Sequence, residues 1–177
     1  MNPWLLLVAA ALLSLERLCY GWIASAPDAF HAVCTRPAIA RFGKPVDIVQ
    51  QLFYIFKGLQ FAVFFGWCYV YGQAGPALHG GVVALGVGGV LLVAGQILNF
   101  GVFYRLGTVG VFYGNKLGYT LPWCQAFPFS LLAHPQYVGT VLSIWGFFLV
   151  MRFPHGDWYI LPMLETVYYA VGTYYEQ

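Results

Sequence analysis

The sequence has very few charged residues. Only 8% of its 177 residues are Asp, Glu, Lys or Arg, whereas 60% are hydrophobic. An average soluble domain has about 25% charged residues, so this composition predicts a membrane protein. The length is enough for one domain, which we predict over residues 1–177. The net charge is only +2 and the basic residues are scattered, so we predict no nucleic-acid partner.

Paired cysteines are also lacking. The four cysteines lie far apart and form no C-x-x-C motif; they are Cys19, Cys34, Cys68 and Cys124. Disulfide and zinc frameworks show closely spaced cysteines at regular intervals. The pattern therefore predicts small apolar or free-thiol residues and no metal site.

The first apolar run lacks the basic start of a signal peptide. No basic residue precedes LLLVAAALLS, and Glu16 and Arg17 interrupt the run that follows. Signal peptides begin with a positively charged region before an unbroken apolar core. We interpret this run as a retained membrane segment.

Long apolar runs, by contrast, are abundant. A helix needs about 20 mostly apolar residues to cross the hydrocarbon core of a bilayer. The predicted segments are residues 3–23, 47–72, 79–104, 137–152 and 158–176. The last two are short and are separated by RFPHGD, which contains helix breakers. We predict an all-α integral membrane bundle of four to five membrane segments, with the last two forming a helical hairpin.

Basic residues indicate the orientation of these segments. Loop 24–46 and stretch 105–135 both contain Arg and Lys, whereas residues 73–78 contain neither. Two spans separate the basic stretches, so they lie on one side, which the positive-inside rule places in the cytosol. A terminal hairpin returns Glu176 to that side.

A glycine-rich polar stretch follows the third run. RLGTVGVFYGNKLGY carries four glycines but no strand precedes it, so it does not fit a dinucleotide-binding turn. We expect a bent backbone close to a small ligand, with Tyr113, Gly114 and Asn115 beside it.

The stretch FPFSLLAHPQYVG contains a predicted helix start. A residue before proline is biased toward extended backbone, so His134 should precede a helix that begins near Pro135. Helix starts offer free amide N–H groups and a partial positive charge. His134 and Tyr137 would lie beside that end. The alternative is a plain turn at the membrane interface, with Tyr137 in an aromatic belt.

One acidic residue lies within the last apolar run. An ionisable group in a membrane segment is costly and is usually functional or paired. We expect Glu165 either to take part in chemistry or to pair with Lys57 or Arg152.

Three stretches carry a family resemblance. GQILNFGVFYRLGTVGVFYGNKLGY, PWCQAFPFSLLAHPQYVGTVLS and the terminal YYEQ resemble the phospholipid N-methyltransferase family, and the short plant and algal type most closely. The likeness is dense over residues 95–146. Its His-Pro-x-Tyr-x-Gly pattern is shared with isoprenylcysteine carboxyl methyltransferases, so that pattern marks a wider superfamily.

The resemblance implies an activity and a location. It implies S-adenosyl-L-methionine-dependent N-methylation of phosphatidylethanolamine derivatives, in their mono- and dimethyl forms, towards phosphatidylcholine. The product of the cofactor would be S-adenosyl-L-homocysteine. It also implies the endoplasmic reticulum membrane in a eukaryote, or the inner membrane in a bacterium, with a site that faces the cytosol.

The resemblance also implies cofactor-binding residues. A G-x-G motif of the family falls on residues 93–95, where Ala94 is small and only Gly95 matches. A Glu-Glu motif falls on Glu176 and Gln177, of which only Glu176 matches. The His-Pro turn of the superfamily falls on His134-Pro135.

Methyl transfer to an amine requires alignment and a free lone pair. His134 or Glu165 is expected to accept the proton of the substrate amine, directly or through water, and the sequence leaves both open. Tyr113, Trp123 and Tyr137 offer aromatic faces to a methylated cation.

Two other functions remain open. A membrane carboxyl or thiol methyltransferase of the isoprenylcysteine type would share the cofactor and differ in the acceptor. A non-catalytic membrane scaffold is the alternative of another class.

Overall fold

The computed structural model describes residues 2–72, 80–122 and 124–175, and at Tyr175 the backbone alone. Within these ranges the chain contains helices, turns and irregular segments but no strand, as the all-helical prediction requires. The helices are α1 (Pro3–Ser25), α2 (Pro27–Cys34), α3 (Pro37–Ala40), α4 (Pro45–Val70), α5 (Gly81–Val111), α6 (Pro135–Met151) and α7 (Ile160–Tyr175).

Three of these helices, α1, α4 and α5, are long and apolar enough to cross a membrane, and α6 is a shorter apolar helix. Helix α5 ends at Val111, seven residues beyond the predicted boundary at residue 104. Its last part continues after a kink at Gly107, whose φ of 61° lies in the region that glycine adopts readily. The polar stretch that was predicted to begin at residue 105 is therefore helical at first.

Local sequence signals explain where the long helices begin. A proline occupies the first position of α1, α4 and α6, where its missing N–H costs no hydrogen bond. The side chain of Asn2 accepts a hydrogen bond of 2.9 Å from the amide of Trp4. At α4, the carboxylate of Asp47 accepts one of 2.9 Å from the amide of Lys44. These caps satisfy amides that would otherwise lack a partner.

Glycines bring α5 and α6 into backbone contact. Gly88 and Gly95 on α5 face Gly146 and Gly139 on α6. A Cβ added to Gly139 would lie 2.7 Å from the carbonyl oxygen of Gly95, and one added to Gly146 would lie 2.7 Å from that of Gly88. Small residues permit such close approach between membrane helices. The pair α5–α6 therefore forms a closely packed wall of the bundle.

The remaining long helices pack around α1, which contacts α4 and α7, while α7 also contacts α6. The predicted terminal hairpin is thus formed by α6 and α7. At its turn, Arg152 donates to Asp157 at 2.6 Å and to the carbonyl of Tyr71 at 2.9 Å. This links the hairpin to the end of α4.

The basic stretches meet at the other end of the bundle. An apolar cluster there joins Tyr20 near the end of α1, Phe30 of α2, Val49 of α4 and Phe112 after α5. Helix α7 ends near this cluster, since a Cβ added to Gly172 would lie 3.7 Å from Nη1 of Arg17, which precedes Tyr20 by three residues on α1.

Candidate functional site

A cavity of about 720 Å³ lies among α1, α4, α5, α6 and α7. Small-molecule sites occupy roughly 300–1,000 Å³, so this cavity has the size of a ligand site. Five residues singled out from the sequence line it, and they come from the two polar stretches. They are Tyr113, Asn115, His134, Pro135 and Tyr137.

The start of α6 positions three of these residues. Pro135 is the first residue of the helix, and His134 precedes it with φ −126° and ψ 67°. The ring of His134 stacks on that of Tyr137, with 6.0 Å between centroids and 19° between planes. His134 is half-buried, whereas Pro135 is buried. The imidazole therefore lies on the cavity wall beside the positive end of the α6 dipole.

The turn after α5 positions Tyr113 and Asn115. Tyr113 has a φ of 57°, which is uncommon for a residue with a side chain. Its ring lies 5.7 Å from that of Tyr20 on α1. Gly114 is buried, and a Cβ there would collide with the side chain and carbonyl of Val109. Gly114 shapes the turn and does not line the cavity, whereas Asn115 is exposed at its mouth.

Charged residues of α1 and α4 form the opposite wall. The ammonium of Lys57 donates to Glu16 at 3.2 Å, to Gln60 at 3.1 Å and to the hydroxyl of Tyr169 at 3.0 Å. An ammonium has three N–H donors, so all of them are used. This arrangement holds Lys57 as a cation and leaves it no donor for a ligand.

Arg17 lies next to this cluster. Its Nη2 is 2.7 Å from a carboxylate oxygen of Glu16. Its guanidinium lies 4.2 Å from the ring centre of Tyr169, with Tyr20 at 5.4 Å and Tyr137 at 5.6 Å. Three aromatic rings thus hold the guanidinium by cation–π contacts.

Glu165 lies behind the cavity wall. It is only 2% exposed, does not line the cavity, and accepts a hydrogen bond of 2.8 Å from the amide of Gln60. The hypothesis that Glu165 pairs with Lys57 or Arg152 is wrong, because Lys57 forms its ion pair with Glu16 and Arg152 with Asp157. Gln60 separates Glu165 from Lys57.

Other residues singled out from the sequence lie elsewhere. Ala94 and Gly95 are on α5 but are not among the lining residues, and Gly95 packs against the backbone of α6. Trp123, Glu176 and Gln177 lie outside the described residues.

Sequence reasoning missed the charged wall of the site. Glu16, Arg17, Lys57, Gln60 and Tyr169 all line the cavity, but none was assigned to it from the sequence. The available signal was the presence of ionisable residues inside apolar runs, which usually marks function or pairing. Within the described ranges, His, Cys, Asp and Glu side chains do not gather into a metal site.

Comparisons with known proteins point to one family. A family model described as phospholipid methyltransferase matches residues 83–177. The chain is 44% identical over 54 residues to a phosphatidyl-N-methylethanolamine N-methyltransferase of Arabidopsis thaliana, covering 30% of this chain and 33% of that protein. It is 34% identical over 76 residues to a phosphatidylethanolamine N-methyltransferase of Mus musculus, covering 42% and 37%. The matched segments thus span about a third of each relative. No solved structure gives a significant match.

Proposed function

The chain belongs to the phospholipid methyltransferase family, and from this premise we propose that it N-methylates phosphatidylethanolamine derivatives in a membrane. Its acceptors would be the mono- and dimethyl forms, on the way to phosphatidylcholine. One observation carries the proposal: the family-matched region supplies the polar turns of a ligand-sized cavity enclosed by apolar helices.

The donor set of the cavity fits S-adenosyl-L-methionine. This cofactor, when bound, supplies a methyl group carried on a positively charged sulfur. Asn99 lines the cavity, and its buried carbonyl oxygen has no partner among the described residues, so it can accept from a hydroxyl or an ammonium. The unpaired acceptor and the aromatic rings of the wall suit the cationic part of this cofactor.

Five residues would hold the cofactor directly: Tyr113, Asn115, His134, Pro135 and Tyr137 all line the cavity. Two glycines would act through the backbone that they shape: Gly95 would fix the approach of α5 to α6, and Gly114 would fix the turn. The assignment of Ala94 rests on the family motif alone. The assignment of Glu176 and Gln177 rests on the family motif alone.

His134 is the proposed proton acceptor. The substrate amine must lose a proton before it can attack, and a general base must be within hydrogen-bond reach of that proton. His134 lines the cavity, whereas Glu165 lies behind Gln60. We therefore propose that His134 accepts the proton and that Glu165 orients the side chain of Gln60.

The lipid would reach the cavity from the bilayer. Three aromatic residues line the cavity and are also more than half exposed on the outside of α4 and α5: Tyr54, Phe61 and Phe100. Such apolar surface suits acyl chains that remain in the hydrocarbon phase while the head group enters. The mouth near Asn115 would face the cytosol, in the endoplasmic reticulum membrane or a bacterial inner membrane.

A lipid methylation assay tests the proposal. Purified protein would receive labelled cofactor with unmethylated, monomethylated or dimethylated phosphatidylethanolamine in separate reactions. We expect transfer to the last two, and loss of most transfer in His134→Ala without a change in melting temperature. His31→Ala is a matched control, because His31 is exposed on α2 and does not line the cavity.

The outcomes separate the parts of the proposal. If the wild-type protein neither transfers methyl groups nor binds S-adenosylhomocysteine, the proposed activity is wrong. If His134→Ala retains full transfer, His134 is not the proton acceptor and its turn is only structural.

A further inference from the structure

We propose that Arg17 and Tyr20 form a binding site for an oxyanion group of a ligand in the cavity. Both residues are on α1, which lies outside the family-matched region. The inference deepens the proposed function, on which it rests for the identity of the ligands.

Arg17 has a donor that is buried and unused. Its Nη2 pairs with Glu16, but its Nη1 is buried and has no hydrogen-bond partner among the described residues. A buried donor without an acceptor costs free energy, and a charged one costs more. The contacts with Tyr20, Tyr137 and Tyr169 keep the guanidinium at the cavity wall. An acceptor supplied by a ligand would remove this cost.

Tyr20 offers a second unused donor beside it. Its hydroxyl is also buried and unpartnered within the described part of the chain. Residues three positions apart lie on the same face of a helix, so Tyr20 and Arg17 are neighbours on α1. The ring of Tyr20 is fixed by Phe56 at 6.0 Å and Tyr113 at 5.7 Å. The two donors are therefore preorganised, which reduces the entropy that binding must overcome.

The charges of the cavity wall favour an anion. Among the described lining residues, Arg17, Lys57 and Lys116 are cationic, and Glu16 is the one acidic residue. Glu16 already bridges Arg17 and Lys57, and the donors of Lys57 are all used. Nη1 of Arg17 is therefore a cationic donor of the inner wall that no described residue uses. A guanidinium is well suited to carboxylates and phosphates, whose oxygens match its planar donors.

Two groups of the proposed ligands have this chemistry. One is the phosphodiester of the acceptor lipid, and the other is the carboxylate of the cofactor's amino-acid part. Each carries oxygens that accept from Arg17 and Tyr20 together. Separate binding experiments with each ligand distinguish the two sources.

Binding would be measured by calorimetry on the full chain in detergent. The cofactor arm compares S-adenosylhomocysteine with 5′-methylthioadenosine, which lacks the amino-acid carboxylate. The lipid arm compares dioctanoylphosphatidylethanolamine with dioctanoylglycerol, which lacks the phosphodiester. The variants are Arg17→Gln and Tyr20→Phe, with Arg41→Gln as a control that removes an exposed arginine outside the cavity.

We expect Arg17→Gln to weaken binding of one oxyanion-bearing probe at least about tenfold, equivalent to about 1.4 kcal/mol, and to leave binding of the counterpart without the oxyanion unchanged. Tyr20→Phe should weaken the same probe by about two- to tenfold. It removes only an unpartnered hydroxyl, so the melting temperature without ligand should not fall. This variant decides the question if Arg17→Gln fails to fold.

Specific outcomes overturn the site. Unchanged affinity of Tyr20→Phe for both oxyanion-bearing probes would overturn it, as would equal losses for one of these probes and its counterpart without the oxyanion. If the wild-type protein binds neither S-adenosylhomocysteine nor the lipid, the proposed function fails as well. If the wild type binds both and the variants bind equally well, only the oxyanion site fails.

Discussion

Replacing Gly95 by alanine separates two roles for this residue, namely helix packing and cofactor contact. An added Cβ would collide with the side chain of Ser143 and the carbonyl oxygen of Gly139, and would lie 2.9 Å from the amide nitrogen of Ser143. Two of these atoms belong to the backbone of α6, so they cannot move aside without shifting the helix. The variant should therefore destabilise the α5–α6 pair.

Overpacking of this kind typically costs about 1–3 kcal/mol. For a chain of this length, 1 kcal/mol corresponds to about 2–4 °C in melting temperature. We expect Gly95→Ala to unfold at a temperature roughly 2–12 °C lower than wild type when tryptophan fluorescence is followed in detergent. Gly89→Ala on the same helix is the matched control, because nothing lies within 4 Å of a Cβ added there.

Binding of S-adenosylhomocysteine would be measured on both variants below their melting temperatures. The packing argument predicts that any loss of affinity in Gly95→Ala accompanies a loss of stability. A variant that melts like wild type but no longer binds would refute it, and Gly95 would then be a ligand contact, as the family motif implies.

Two further predictions concern charge and topology. Lys57→Met should lower stability by about 1–3 kcal/mol, because Gln60 and Tyr169 lose their donor and Glu16 keeps only Arg17; its effect should not add to that of Glu16→Gln in thermal unfolding of the double variant, and simple additivity would contradict the pairing. With the four native cysteines replaced by serine, Arg41→Cys and Thr120→Cys should react with an impermeant maleimide from the same side of sealed vesicles. Labelling from opposite sides would overturn the orientation.

Much of the fold could be predicted because the bilayer restricts how a backbone can satisfy its hydrogen bonds. A run of apolar residues long enough to span must be helical, so the runs in the sequence mark the long helices. Proline near each boundary marks a start, as at Pro45 and Pro135. The predicted boundary at residue 104 falls seven residues before the end of α5, because the helix continues through a kink at Gly107 within the stretch that was expected to be bent.

The partners of the charged residues could not be predicted in the same way. Which side chains meet depends on how each helix is rotated about its axis relative to its neighbours. The sequence of a single helix does not specify that rotation. Glu165 illustrates the point: its polarity marked it as unusual, but only the packed helices show Gln60 as its partner. The sequence did offer a signal for the packing at Gly95. Gly88 and Gly95 are seven residues apart on α5, and Gly139 and Gly146 are seven residues apart on α6.

The cavity is lined by residues from inside and from outside the region that matches the family model. His134 and Tyr137 lie within the matched region, whereas Glu16, Arg17 and Lys57 lie on α1 and α4, which precede it. These residues need an ionic partner or a ligand, because buried ionisable groups in apolar helices are otherwise costly. Pairing accounts for Glu16 and Lys57 but leaves one donor of Arg17 without a partner among the described residues. We therefore expect substitutions of Arg17 to change what the proposed site binds while His134 and Tyr137 stay in place.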